Sequence, residues 1–206
     1  MMDAADASQG ITETILPIVG AKLPRHYAQA LHAALVDRQP WIASDERLAV
    51  LPLKLAGTAG EQAMLSPRTR LVIRADRGRE LDLRALGDSS LMVGAHQIQL
   101  GKAHSRDLQA HATVYAYRVA AVSADEIVFM AGVEKTLADM GVTGHCVCGK
   151  HQTLRVDAED INTFSVMVHG LNPAHSLLLQ AQGVGPLRGL GCGVFVPHKS
   201  AAAVGA

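Results

Sequence analysis

Twice along the chain the apolar and polar residues read strand, helix, strand, strand, helix, strand, and that order limits the fold more than any other feature. ITETILPIVG (11–20) is short, β-branched and closed by glycine, which predicts a strand. LPRHYAQALHAALVDRQ (23–39) has Pro24 near its start, Tyr27, Ala30, Leu31, Ala34 and Leu35 at helical spacing, and Pro40 behind it, which predicts a helix. LAVLPLKLAG (48–57) predicts a strand interrupted by Pro52. SPRTRLVIRA (66–75) alternates, with Arg68, Arg70, Val72 and Arg74 on one face and Thr69, Leu71 and Ile73 on the other. RELDLRALG (79–87) predicts a short helix, and SLMVGAHQIQLG (90–101) a hairpin turning at Gly94.

The second half repeats the order. LQAHATVYAYRVA (108–120) predicts a strand, and DEIVFMAGVEKTLADMG (125–141) a helix capped by Ser123 or Asp125 and stopped at Gly141. GHCVCG (144–149) and HQTLRV (151–156) read as two strands across a turn at Gly149-Lys150, followed by an alternating strand in NTFSVMVHG (162–170). NPAHSLLLQAQG (172–183) predicts a helix with Asn172 as cap and Pro173 in its first turn, and VFVP a last strand. A βαββαβ order is the ferredoxin-like pattern. The expected fold is therefore α+β: two tandem ferredoxin-like domains with antiparallel sheets, over 11–104 and 105–198, with residues 1–10 and 199–206 as loose ends.

Of the 206 residues, 49% are apolar, enough for a real core, and no apolar run approaches the roughly 18 residues that cross a bilayer. MMDAADASQG lacks the basic-then-apolar order of a secretory signal, and three cysteines (Cys146, Cys148, Cys192) are too few and odd in number for a disulfide framework. A cytoplasmic protein without membrane contact is expected. Nineteen basic and nineteen acidic residues cancel, which argues against coating nucleic acid by bulk charge but leaves room for a local patch. Such a patch is present: Arg68, Arg70, Arg74, Arg77 and Arg79 fall within twelve residues. Three arginines on one strand face suit phosphates better than solubility alone requires. Phe, Tyr and Trp make up only 3% of the chain, which argues against a sheet that reads single-stranded bases by stacking.

GVGPLRGLGCGVFVP (183–197) sets five glycines within eleven residues, a concentration that calls for a tight turn or for backbone brought close to a ligand. It lacks the Lys-Ser/Thr ending of a P-loop and follows a helix where that motif follows a strand, and a dinucleotide fingerprint would open a helix. Backbone amides beside Arg188 are left for an extended anion. Of the ten histidines, His26 sits on the first turn of the first helix, where a side chain can reach into a cleft. His32 lies about 240° round the same helix and cannot share its face. His145-Cys146-Val-Cys148-Gly-Lys-His151 has one residue between its cysteines and no partner pair, so the spacing argues against zinc and for small core residues.

Five stretches together, ILPIVGAKLP, HYAQALHAAL, LSPRTRLVIR, HQTLRV and SLLLQAQGVGPLRGLGCGVFVP, resemble the CRISPR repeat-processing endoribonucleases of the repeat-associated mysterious protein superfamily, in its Myxococcus-type branch. The resemblance covers residues 11 to 197, and its last block is the most specific. It implies two tandem ferredoxin-like domains and metal-independent cleavage of precursor RNA within the repeat, with no cofactor. In that reaction the ribose 2′-OH attacks the adjacent phosphate, leaving 2′,3′-cyclic phosphate and 5′-OH ends. It places the catalytic histidine at His26, just past the proline after the first strand, and implies as partners the repeat RNA, the mature guide RNA and other subunits of a CRISPR effector complex. Lys22, Arg25 and Arg38 are the nearby cations for the phosphorane charge, with no choice among them. Arg68, Arg70, Arg74, Arg155, Arg188, Gly189, Gly191 and Gly193 are the expected RNA contacts. Two positions depart from the pattern: Trp41 follows Pro40 where related chains carry a second histidine, and His151-Gln152 stand where an arginine pair is usual. The alternative is a non-catalytic RNA-binding subunit on the same fold. A small-molecule enzyme using the glycine loop has no nucleotide motif behind it.

Overall fold

The computed structural model of the protein describes residues 10–198, so the expectation for the two chain ends falls almost wholly outside the described residues. The chain divides into two compact bodies. Among the described residues, one comprises Gly10–Asp107 with Gly189–Gly191, and the other Leu108–Arg188 with Cys192–His198.

In the first body, β1 (Ile11–Val19) is followed by β2 (Lys22–Pro24) and helix α1 (Tyr27–Arg38). A 3₁₀ turn, Pro40–Ala43, leads to β3 (Ala49–Val50), β4 (Gly57–Ala59), β5 (Gln62–Met64) and β6 (Arg70–Asp76). Helix α2 (Glu80–Arg84), β7 (Ser90–Val93), β8 (His96–Leu100) and β9 (His104–Asp107) complete it. The main sheet runs β3-β6-β1-β8-β7, with β9 also on β1, and every pairing is antiparallel. Strand β1 is central: β6 covers one edge of it, and β9 then β8 share the other. Alternation puts Leu16 and Ile18 of β1 with Leu71 and Ile73 of β6 in a core closed by Leu31 and Leu35 of α1 and Leu83 of α2.

In the second body, β10 (Thr113–Ala120) is followed by helix α3 (Glu126–Asp139), β11 (His145–Val156), β12 (Glu159–His169), helix α4 (Pro173–Gln182) and β13 (Phe195–Pro197). Its sheet order, β11-β12-β10-β13, sets the four strands as second, third, first and fourth, the ferredoxin-like arrangement. Phe129, Val133 and Leu137 recur every four residues along α3 and bury against Phe164, Val166 and Val168 of β12. Asp125 caps α3 by accepting from the amides of Ile127 and Val128, and Asn172 caps α4 by accepting from that of His175. The fold is α+β with two tandem ferredoxin-like units and antiparallel sheets.

Beyond a strand shortened from 48–57 to Ala49–Val50 and a strand, β9, that the pattern did not announce, three elements differ from the sequence pattern. The first helix begins at Tyr27, not Leu23, because Lys22–Pro24 pairs with Gln62–Met64 in a small sheet, β2-β5-β4, that the polar run 57–64 did not announce. Residues 145–156 form one strand, not two. Gly149 and Lys150 make a bulge where the Lys150 amide donates to the Ser165 hydroxyl, and both flanks pair with β12. The third concerns Arg74, placed by alternation on an open basic face. It is fully buried, its guanidinium 2.8 Å from Glu13, whose other oxygen takes Arg106 at 2.7 Å. Burial works against the Arg74 charge, and the Glu13 carboxylate and its hydrogen bond work for it.

Removing one partner of such a pair leaves the other charge buried alone. Glu13→Ala is expected to lower the stability of the full chain by about 3–5 kcal/mol in urea titrations, and pairing it with Arg74→Met to recover most of that loss.

Candidate active site and nucleic-acid interface

His26 is exposed and occupies the N-cap position of α1, where its side chain makes no capping bond. The backbone leading to it is held firmly. Leu23 is wholly buried, Lys22–Pro24 is paired with β5, and the Arg25 amide donates to the Glu61 carbonyl at 2.8 Å. The Arg25 guanidinium reaches the Gly60 carbonyl at 3.3 Å. Behind the cap, the Tyr27 hydroxyl accepts from the Leu53 amide at 2.8 Å, tying α1 to the segment after β3. An exposed imidazole thus stands on a fixed mount at the positive end of a twelve-residue helix, where a phosphate is favoured. Lys22 and Arg25 are exposed close by in sequence, whereas Arg38 closes the far end of the helix, about 18 Å along its axis.

The arginine run separates into two classes. Arg77 pairs with Asp107, Arg79 pairs with Asp82 and lies over the Trp41 ring, and Arg74 is the buried partner of Glu13. Arg74 is therefore corrected from a surface contact to an internal one. Arg68 and Arg70 are exposed, and among the described residues neither is ion-paired with a carboxylate. A Ser66–Thr69 turn presents them, closed by the Thr69 amide on the Ser66 carbonyl and by the Thr69 hydroxyl on the Lys54 carbonyl. Arg155 is exposed on β11 and bonded to Asp160 across the hairpin, a solvent-screened pair that holds it weakly.

The glycine stretch turns inward. The Val184 amide donates to the Gly193 carbonyl, and the Gly193 amide to that of Arg118 at 2.7 Å. A Cβ on Gly193 would collide with the Val184 carbonyl, and one on Gly183 with the Gly193 carbonyl, so only glycine lets these two segments cross. Gly191 is buried against Pro52 and the Val50 carbonyl. Arg188 donates to the Ala181 carbonyl at 2.7 Å, bonding the last turn of α4. Gly191 and Gly193 are therefore corrected from bare backbone awaiting an anion to backbone enclosed by the chain itself. Cys192 is buried between them, and burial pushes its thiol up to about 11.

Gly189 reveals a residue that the sequence reading set aside. A Cβ there would lie 2.7 Å from the His32 ring, so the half-buried His32 packs directly on the glycine loop. No sequence signal links residues so far apart. The His145–His151 cluster is divided by the sheet: Cys146 and Cys148 pack on the second core, His145 lies beside His169, and His151 lies against Phe164. Burial, with the nearby Glu134 and Glu126, pushes both thiols up. Among the described residues no three His, Cys, Asp or Glu side chains form a group that could hold a metal ion, and no helix is long and apolar enough to cross a membrane.

Comparison with known proteins finds matches over most of the chain. The family model described as Cas6 Crispr matches residues 13–200. The CRISPR-associated endonuclease Cas6 of Myxococcus xanthus (strain DK1622) is 27% identical over 193 residues, covering 93% of this chain and 84% of that protein. A solved CRISPR-associated protein Cas6 superposes with a TM-score of 0.66 at 11% identity, over 92% of this chain and 99% of that one. Thermus thermophilus Cse3 bound to an RNA representing a pre-cleavage complex superposes at 0.53 and 15% identity, over 91% and 98%. These two share the fold.

Burial holds the His32 imidazole below its ordinary range. The unfolded chain then takes up the proton first, so stability is full above about pH 6.5, falls as the pH drops through it, and levels off below the folded value. Between about pH 7.5 and about pH 5.5, wild type is expected to lose more stability in urea titrations than His32→Gln.

Proposed function

This chain belongs to the Cas6 family, and on that premise we propose that it is an endoribonuclease cutting CRISPR precursor RNA within the repeat, with His26 as its proton-transfer residue. The observation that carries the assignment is the exposed imidazole on its fixed mount, uncommitted to capping the helix that it begins. In the reaction, the 2′-oxygen of the ribose forms a bond to the adjacent phosphorus and gives up its proton, while the bond from phosphorus to the 5′-oxygen breaks and that oxygen takes a proton. The products are a 2′,3′-cyclic phosphate and a 5′-hydroxyl. A histidine titrating near neutrality serves either proton movement. Lys22 and Arg25, beside it in the chain, suit the charge that develops on the phosphorane oxygens. His26 carries one of these two proton movements and water the other, and no metal enters the scheme. The product guide RNA stays on the protein.

RNA is held through phosphates by Arg68, in the Ser66–Thr69 turn, by the exposed Arg70, whose guanidinium also donates to the Pro67 and Thr69 carbonyls of that turn, and by Arg155. Arg188 and Gly189 act through the loop that they shape. Support for a phosphate-led mode comes from two exposed guanidiniums that pair with no carboxylate among the described residues, and from a net charge that leaves little non-specific attraction to compete.

With the cognate repeat RNA in EDTA, one cut ending in a cyclic phosphate is expected, at no more than one cut per protein. No cleavage, or cleavage only with added divalent metal, overturns the scheme, and tight binding without cleavage points to an RNA-binding subunit. His26→Ala is expected to bind the RNA normally and cut it at least about a hundredfold more slowly. Arg68→Ala with Arg70→Ala should weaken binding and reduce the slope of log affinity against log salt by about 1.4, as two lost contacts to a single strand require.

A further inference from the structure

The sheet of the second body has one face buried against the core and one face away from it. Val114, Ala116, Val166 and Val168 point to the core. By alternation, Tyr115 points the other way, directly opposite Met167 of β12. Tyr117 follows on the same side, its ring edge-on to that of Tyr115 with centroids 5.0 Å apart. The His198 ring, just beyond β13, approaches Tyr115 from the other side at 5.3 Å. In the neighbouring row His145 stands opposite His169, with ring centroids 5.2 Å apart.

This grouping is not what composition predicts. The chain has three tyrosines, and two of them are adjacent here. Tyr117 is 44% exposed, and His145 and His198 are exposed too. A sheet face turned to solvent ordinarily alternates to short polar or charged residues, whereas across this one Val147, Met167, Tyr115 and Val196 lie in one row, with the rings of Tyr117, His145, His169 and His198 beside them. None of the positions named on it is a carboxylate, and three are histidines. A polyanion with flat apolar groups matches both properties.

We propose that this face is a stacking platform for unpaired nucleotides of RNA, with base faces on Tyr115, Tyr117 and His198 and the His145–His169 row beside the sugar-phosphate chain. The proposal rests on the reading of the protein as an RNA-processing enzyme and adds base stacking to its phosphate contacts. Stacking is tolerant of sequence because every base has a π-face, so the platform holds a strand without specifying it.

The test uses the full chain with a fluorescein-labelled decauridylate and an abasic ribose-phosphate oligomer of equal charge. Wild type is expected to bind decauridylate at least about tenfold more tightly than the abasic oligomer. Tyr117→Ala and Tyr115→Ala should each lower decauridylate affinity about tenfold without changing its salt slope, while Tyr117→Phe keeps wild-type affinity. Equal binding of the two oligomers, or wild-type affinity in a folded alanine variant, overturns the platform and leaves the face to a protein partner. Thermal melting identifies any variant that fails to fold, and exposed Tyr117 carries the test if Tyr115→Ala does. Cleavage of repeat RNA is scored separately. Tyrosine-dependent binding by a chain that never cuts repeat RNA sinks the endoribonuclease reading, and normal cleavage with unaffected binding sinks the platform alone.

Discussion

Glu13 is the point on which the first body depends. Its carboxylate sits on the central strand and is gripped from both sides, by Arg74 of β6 and Arg106 of β9, each directly opposite it in register. Such a triad adds little net stability, because withdrawing the charges from water offsets much of their attraction. It specifies pairing instead. A one-residue slip of β1 against β6 would turn Glu13 to the opposite face and away from the buried Arg74 guanidinium. With β1 held in register, the turn after it brings β2 onto β5, and that pairing carries the backbone to His26.

The glycine-rich stretch shows how one local signal can have two physical causes. Five glycines in eleven residues raise the prospect of a ligand lying on bare backbone. The chain itself is what comes close: the Gly183–Val184 and Gly193 backbones cross at a distance that no Cβ would allow, and Arg188 bonds the end of α4. Close approach was the right inference and the approaching partner was the wrong one. Gly189, which belongs to the first body, lies on the His32 ring of the helix that begins at His26.

Histidine placement separates chemistry from packing. His26 and His32 lie six residues apart on one helix, yet one is exposed at the cap and the other half-buried against backbone. Exposure leaves an imidazole able to exchange protons with a substrate, and burial favours its neutral form. Trp41, where related chains carry a second histidine, is engaged structurally under the Arg79 guanidinium. The proposed chemistry therefore rests on one histidine and nearby cations.

Much of the fold was legible from periodicity alone, because apolar spacing and caps act within a few residues. Strand β1, helices α3 and α4 with their Asp125 and Asn172 caps, and the hairpin at Gly94 all follow from neighbours in sequence. The short β2-β5-β4 sheet and the continuous β11 were not legible, since both depend on which distant segment supplies the hydrogen-bond partner. The site divides in the same way. The sequence by itself determined the fold class, the family resemblance and the position of His26 at the start of a helix. Only the tertiary structure decided which arginines are exposed, which glycines face the chain instead of solvent, and that two tyrosines and three histidines gather on one sheet face. Alternation tells which residues share a side of a strand, but what lies against that side is set by packing, and packing is a property of the whole chain.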